Sequence, residues 1–250
     1  MRVVRNSGQL FFVKADMEFS FKQFSLDHSL SSMKVGTDAV LLSSLMPRNR
    51  AKHILDIGTG CGVVALLAAQ FNPQATVTAI DIDTPSMAQA RNNFASSPFA
   101  DRMQAIETSL QDFAANKDHI GRFDLVVSNP PYFVDSLKAP KASRNLARHN
   151  DKLPFGELVE GISRIITPEA QIAIILPEVQ SKETEQLFAR KNIHISRQVK
   201  IFPKEDRPII RVVNIYSPKA VRREEATLTI RTCNGEYTPE YKAIVSEILL

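Results

Sequence analysis

Apolar and polar positions follow one repeated pattern from about residue 50 onward. Short apolar runs, typical of strands buried in a sheet, are separated by segments with the spacing and composition of helices. The strand-like runs lie at 53–58, 76–82, 103–108, 123–128 and 171–177. The helix-like segments lie at 63–71, 85–97, 155–166 and 178–191. This alternation predicts an α/β fold with a parallel sheet and helices on both faces.

The two ends of the chain depart from this pattern. Two strand-like runs, at 193–202 and 209–217, follow each other without a helix, which predicts an antiparallel pair at a sheet edge. Residues 36–46 have the pattern of a helix that packs on the core. We therefore expect one domain, with an N-terminal extension (1–49), a core (50–217) and a C-terminal tail (218–250).

Composition narrows the class of protein. The chain is 44% hydrophobic and 23% charged, which suffices for a sizeable core, and no apolar run approaches the roughly 20 residues of a membrane span. The first residues lack the apolar segment of a signal peptide. Only Cys61 and Cys233 are present, which excludes a disulfide framework and a four-cysteine zinc site. We expect a cytoplasmic protein without a metal.

A glycine-rich turn is the first candidate site. Gly58, Gly60 and Gly62 stand at alternate positions between a predicted strand and a predicted helix. Glycine permits a tight turn and close approach of a ligand, and a helix N-terminus favours negative groups. Asp56 precedes the turn, and Asp81 ends the next strand, where a carboxylate can accept hydrogen bonds from a ribose diol.

Each of these features has a simpler alternative. The turn can connect a strand to a helix without binding anything, and Asp81 or Asp83 can serve only as a helix cap. A phosphate-binding P-loop is excluded because no G-K-[ST] follows. Dinucleotide-binding folds usually carry their third glycine one position later than Gly62, where this chain has Val63.

The second candidate site is "NPPY", which directly follows the apolar run 123–128. Asn129 and the carbonyl of Pro130 could accept hydrogen bonds from an amino group on a planar ring, which would favour a pyramidal, nucleophilic nitrogen. Pro131 stiffens the segment, and Tyr132 offers a flat face for a base. The alternative is that the two prolines simply end the strand.

The order of these motifs, D-x-G-x-G-x-G, then Asp81, then NPPY, resembles that of class I S-adenosylmethionine-dependent methyltransferases. This resemblance implies a Rossmann-like α/β fold, with a mostly parallel seven-stranded sheet, an antiparallel edge strand and helices on both faces. It also implies that Asp56 and the turn (Gly58, Thr59, Gly60, Gly62) hold the methionine part of the cofactor, Asp81 the ribose and Ile82 the adenine. Ser109, beside Leu110, stands where this family often has an acid near the adenine.

The N-terminal stretch resembles a narrower family. "FSFKQFSLDHSLSSMKVGTDAVLLSSLM", "SNPPYF" and "LARHN" are similar to the bacterial tRNA (adenine-N6)-methyltransferases that modify valine tRNA at the adenine 3′ of the anticodon. The "KVGTD" element lies outside the general methyltransferase motifs. The resemblance implies that Lys34, Gly36, Thr37 and Asp38 lie over the cofactor or acceptor pocket. Thr37 or Asp38 could instead be an ordinary N-cap.

Basic residues follow NPPY closely. The net charge is +4, and Lys138, Lys141, Arg144 and Arg148 are candidates for contacts with RNA phosphates. The alternative is an ordinary solvated face. With the family resemblance, the implied partner is the anticodon stem-loop of a tRNA, with no membrane, metal or stable protein partner.

The sequence therefore predicts an S-adenosylmethionine-dependent enzyme that methylates N6 of a tRNA adenine. One alternative is a protein glutamine N5-methyltransferase of the release-factor type, whose motif is similar. Another is a non-catalytic RNA-binding module on the same fold. An NAD-dependent dehydrogenase agrees least with the glycine spacing.

Overall fold

The computed structural model describes residues 2–6, 9–13, 18–31, 34–131 and 153–249. The strands are β1 (Arg2–Asn6), β2 (Gln9–Val13), β3 (Glu18–Ser20), β4 (Ser25–Asp27), β5 (His53–Ile57), β6 (Thr76–Asp81), β7 (Met103–Glu107), β8 (Phe123–Ser128), β9 (Ile166–Leu176), β10 (His194–Lys204), β11 (Arg211–Ser217) and β12 (Glu224–Arg231). The helices are α1 (Thr37–Leu45), α2 (Val63–Phe71), α3 (Thr84–Ala95), α4 (Leu110–Ala115), α5 (Phe155–Ile165), α6 (Glu178–Ala189) and α7 (Pro239–Val245).

The central sheet has eight strands in the order β12-β10-β11-β9-β8-β5-β6-β7. Every neighbouring pair in it is parallel except the two pairs that β11 makes with β9 and β10. The predicted α/β fold with a mostly parallel sheet is thus confirmed.

Two details of the predicted sheet are wrong. The sheet has eight strands rather than seven, and its antiparallel strand β11 lies inside the sheet rather than at an edge. Residues 205–210 join β10 to β11 as a hairpin, and β11 fills the space between β10 and β9. All residues of β11 after Arg211 are buried, as an internal strand requires. The additional strand is β12, which pairs with β10 from within the predicted C-terminal tail.

Helices cover both faces of the sheet, as predicted. One buried cluster includes residues of α1, α2 and α3, such as Leu41, Leu66 and Phe94. The cluster on the other face includes residues of α4, α5 and α6, such as Ile162 and Phe188. Both faces of the strands between them are therefore removed from water, which explains their continuous apolar runs.

The predicted extension and tail share this packing. The backbone N–H of Lys22 donates to the carbonyl of Ile248, and Phe21 forms a bridge with Leu249. Phe21 and Tyr241 belong to the same buried cluster as the helices of the core. This shared cluster supports the single domain, whose internal boundaries stay a prediction.

Strand register brings the candidate motifs together. Ile57 pairs with Ile80 on one side and with Ser128 on the other, all in parallel ladders. The residues that follow these three are Gly58, Asp81 and Asn129. The glycine turn, the acid and the NPPY segment therefore begin side by side at the carboxyl edge of the sheet, where α/β proteins bind ligands.

Helix α5 contains two glycines in different surroundings, and the pair yields a test of the packing. A Cβ on Gly161 would lie 2.7 Å from Cγ of the buried Leu110 on α4, whereas a Cβ on Gly156 would meet nothing within 4 Å. We expect Gly161→Ala to lower the free energy of unfolding by about 1–3 kcal/mol through overpacking. Gly156→Ala should raise it by up to about 1 kcal/mol, because alanine favours the helix.

Urea denaturation of both variants and the wild type measures the difference. Equal stability of the two variants would show that α4 and α5 do not pack as closely as described.

Candidate functional site

The glycine turn has a backbone that other residues adopt only with strain. Gly58, Gly60 and Gly62 all have positive φ angles of 72°, 56° and 89°. At Gly62 there is no room either, because a Cβ there would lie 2.5 Å from the Phe94 ring. The turn is fixed to β6 by the N–H groups of Gly58 and Thr59, which donate to the Ile80 carbonyl at 2.9 and 3.1 Å. The glycines thus shape a rigid turn between β5 and α2.

Asp81 connects this turn to the start of α3. Its Oδ2 accepts a hydrogen bond from the Gly60 N–H at 2.9 Å, and its Oδ1 accepts one from the Asp83 N–H at 3.0 Å. Asp83 is the N-cap of α3 and accepts from the Ser86 N–H at 3.0 Å. Of the two acids, Asp83 is therefore the cap. A carboxylate has about four lone-pair positions, so Asp81 keeps acceptor capacity for a ligand.

Asp56 is a buried acid directly beneath the turn. It is 1% exposed, and Thr59 Oγ1 donates to its Oδ2 at 2.7 Å. The pKa of Asp56 is raised to about 7, chiefly by burial; the hydrogen bond from Thr59 opposes this rise and the nearby charge of Asp81 adds to it. The site thus holds a carboxyl group that a cationic ligand would convert to the carboxylate.

Of the residues predicted to hold an adenine, Ile82 is exposed, whereas Ser109 caps a helix and Leu110 is buried. Ile82, which directly follows Asp81, is 51% exposed, so its side chain is open to a ligand. Ser109 caps α4, accepting from the Asp112 N–H at 3.0 Å and donating to Asp112 Oδ2 at 2.7 Å. Leu110 is 3% exposed and packs against α5, so its side chain is not at the open edge.

The NPPY segment is held beside the turn. The buried Ser128 donates from Oγ to the Ile57 carbonyl at 2.9 Å, which joins the ends of β8 and β5. Asn129 is half-buried, Pro130 buried and Pro131 exposed. Tyr132 lies outside the described residues, and so do all four predicted phosphate-binding residues: Lys138, Lys141, Arg144 and Arg148.

The "KVGTD" element closes a loop and then starts α1. The Lys34 ammonium donates to the carbonyls of His28 and Ser29 at 2.6 and 3.0 Å. The N-cap of α1 is Gly36, and Thr37 and Asp38 are the first two residues inside the helix. The interpretation of Thr37 or Asp38 as an ordinary N-cap is therefore wrong.

Asp38 instead pairs with an arginine that the sequence did not single out. Arg211 donates from Nε to Asp38 Oδ2 at 2.8 Å. Because β11 runs antiparallel to its neighbours, its first residue lies at the carboxyl edge of the sheet. Arg211 belongs to the segment "RPIIRVV" (207–213), and only the position of β11 connects this segment to "KVGTD".

Two buried amides on α3 are further residues that the sequence analysis missed. Gln89 and Asn93 are 2% and 5% exposed and bond to residues 27–31. The sequence feature that could have indicated them is a pair of polar residues, four positions apart, on a helical face that also carries Met87, Ala90 and Phe94.

The described part of the chain contains neither a candidate metal site nor a candidate membrane span. No group of three or more potential metal-binding side chains occurs there. No helix among these residues is both long and apolar enough to span a bilayer.

Comparison with known proteins identifies the family. A model described as "Methyltransferase small domain" matches residues 23–160. A tRNA1(Val) (adenine(37)-N6)-methyltransferase from Parabacteroides distasonis is 38% identical over 94% of this chain and 99% of its own length. The chain belongs to this methyltransferase family. A relative of the same name from Phocaeicola vulgatus is 40% identical over 93% of this chain and 97% of its own length.

Solved structures agree on the methyltransferase fold. A crystal structure from Agrobacterium tumefaciens, described as a predicted O-methyltransferase, superposes with a TM-score of 0.67. It is 20% identical in sequence and covers 84% of this chain and 96% of its own.

The raised pKa of Asp56 predicts a pH dependence of stability. Because its pKa is about 7 in the folded protein, against an ordinary 3.8, the folded state binds more protons between these values. The contribution of Asp56 to stability is therefore present below about pH 4 and is lost as the pH rises through 7. Asparagine does not titrate, so Asp56→Asn should gain stability relative to the wild type over the same interval.

Urea denaturation at pH 5 and pH 8, without cofactor, tests this sign. We expect the variant's free energy of unfolding, minus that of the wild type, to be about 2–3 kcal/mol larger at pH 8 than at pH 5. A difference that is the same at both pH values would contradict the assignment of a raised pKa to Asp56.

Proposed function

We propose that this protein transfers a methyl group from S-adenosylmethionine to N6 of adenine 37 in valine tRNA. Membership of the tRNA1(Val) (adenine(37)-N6)-methyltransferase family supports the reaction and the substrate. The observation that carries the proposal is the strand register, which places Gly58, Asp81 and Asn129 side by side at the carboxyl edge of the sheet.

The residues at this edge fit S-adenosylmethionine. Its ammonium group needs an anion, and the buried Asp56 beside the turn offers one. Its ribose diol needs acceptors, and the half-buried Asp81 retains free lone pairs. Its adenine needs an apolar surface, and Ile82 is the exposed aliphatic side chain next to Asp81. When bound, the cofactor supplies an electrophilic methyl group on a sulfonium centre.

Asn129 and Pro130 would position the acceptor. The lone pair of an adenine amino nitrogen is delocalised into the ring, so this nitrogen is a weak nucleophile. Hydrogen bonds from its two N–H groups to the Asn129 side-chain oxygen and the Pro130 carbonyl favour a pyramidal nitrogen with an available lone pair. The burial of Pro130 and the bond from Ser128 to Ile57 hold these acceptors in place before substrate arrives.

The tRNA would be held mainly through its phosphates. We assign this role to Lys138, Lys141, Arg144 and Arg148, which follow NPPY closely in sequence. Adenine 37 lies in a loop, where an unstacked base can be splayed into a pocket and stacked on Tyr132.

Methyl transfer from labelled S-adenosylmethionine to unmodified total tRNA tests the proposal. We expect label in N6-methyladenosine on nuclease digestion, and enrichment in the valine isoacceptor. Label in a different nucleoside would reject the reaction. In a parallel reaction with purified release factors, label in the protein together with unlabelled tRNA would instead establish a protein glutamine methyltransferase.

Asn129→Ala tests the assignment of the acceptor site. We expect turnover to fall by ~10²–10³-fold, as when one preorganised partner of a transition state is lost, while cofactor affinity stays unchanged. The matched control is Asn116→Ala, because Asn116 follows α4 and caps a short 3-10 turn through its bond from the Asp118 N–H. Turnover of Asn129→Ala equal to that of Asn116→Ala would remove Asn129 from the mechanism.

A further inference from the structure

A short N-terminal segment, residues 27–31, is fastened to α3 by a buried glutamine. Gln89 Oε1 accepts hydrogen bonds from the backbone N–H groups of Leu30 and Ser31 at 3.1 and 2.9 Å. Its Nε2 donates to Ser29 Oγ at 3.1 Å. A single side chain, only 2% exposed, thus makes three hydrogen bonds to what we name the N-terminal strap, residues 27–31.

A buried asparagine one helical turn later holds both the strap and the glycine turn. Asn93 Oδ1 accepts from the Asp27 N–H at 2.9 Å. Its Nδ2 donates to the Asp27 carbonyl and to the Cys61 carbonyl, both at 2.8 Å. Because Cys61 lies between Gly60 and Gly62, one amide group joins the strap to the turn.

The strap lies directly on the turn. A Cβ built on Gly60 would be 3.3 Å from Ser31 Oγ, and Ser31 Oγ lies 3.3 Å from Ser86 Oγ at the start of α3. The Lys34 ammonium donates back to the carbonyls of His28 and Ser29, which ties the first residue of "KVGTD" to the strap.

Packing alone does not require these amides. Gln89 and Asn93 share their face of α3 with the buried Met87, Ala90 and Phe94, and an apolar side chain would fill the same space. A buried amide costs free energy unless its hydrogen bonds are made, and here every bond goes to the strap or to the turn. The polar character of both residues is thus accounted for by the segment that they hold.

We propose that Gln89 and Asn93 are positioning residues for the methyl-donor site. They hold the N-terminal strap over Gly60, and so form one wall of the site and orient the "KVGTD" element. This inference rests on the proposed function for the identity of the cofactor, but the bonds that carry it are independent of the RNA substrate.

Gln89→Met is the direct test, because methionine keeps the volume and removes all three hydrogen bonds. Two strap N–H groups then lose their acceptor, and we expect the affinity for S-adenosylmethionine to fall about tenfold in calorimetry. Amide hydrogen exchange at Leu30 and Ser31 should quicken.

The matched control is Gln198→Met on β10. Gln198 is also a buried amide, 5% exposed, and it donates to Asn214 Oδ1 at 2.9 Å, in a network that does not include the strap. We expect this variant to lose thermal stability and to keep its cofactor affinity. An equal loss of affinity in both variants would overturn the inference, since it would reflect general destabilisation.

The wild type gives a second measurement if Gln89→Met fails to fold. Exchange of the Leu30 and Ser31 amides should slow when the unreactive product S-adenosylhomocysteine is added, and unchanged exchange would overturn the inference. Wild-type protein that binds no S-adenosylmethionine would overturn the proposed function itself. Wild-type binding that Gln89→Met leaves unchanged would overturn only the role of the strap.

Discussion

The hydrogen bond from the Gly60 N–H to the Asp81 carboxylate, 2.9 Å long, is the constraint on which the site depends. It joins the turn after β5 to the end of β6, the neighbouring parallel strand. The bond requires the Gly60 N–H to point sideways along the sheet edge, and the positive φ angles of the turn allow this direction. Asp81 also binds the N–H of Asp83, so the same carboxylate fixes the start of α3. From α3, Gln89 and Asn93 reach the strap, and the strap leads to "KVGTD".

This arrangement brings two acids together at the sheet edge where we propose that a cationic ligand binds. Asp56 and Asp81 lie close enough for the charge of Asp81 to add to the effect of burial, and the pKa of Asp56 is raised to about 7. Without a ligand, Asp56 makes the folded protein less stable at neutral pH than at acidic pH, because its buried carboxyl group then ionises. Acids with such a shifted pKa are typical of functional sites. A ligand with a positive charge would stabilise the buried carboxylate of Asp56.

Local patterns predicted most of the elements, and long-range pairing accounts for the differences. Most strands and helices of the core appear close to their expected bounds, since each had a continuous apolar run or a helical pattern; β9 begins five residues earlier than expected, at Ile166, and α4 was not predicted. The internal position of β11 and the addition of β12 depend on which strands meet across the sheet, and periodicity does not encode this. Likewise, the sequence indicated Asp56, Asp81 and NPPY, whereas the ion pair of Asp38 with Arg211 joins residues far apart in the chain. Ser109 was noted as a departure from the family, but its local "SLQD" pattern is that of a helix cap, which the structure contains.

We infer that the turn, Asp81 and NPPY form one site around S-adenosylmethionine, and a crystal structure of the protein with S-adenosylhomocysteine is the decisive measurement. We expect the amino acid part of the ligand against Asp56 and the glycine turn, the ribose hydroxyls on Asp81 and the adenine on Ile82. The sulfur should face Asn129. A ligand bound elsewhere, or a ribose that does not contact Asp81, would show that these motifs do not form a methyl-donor site.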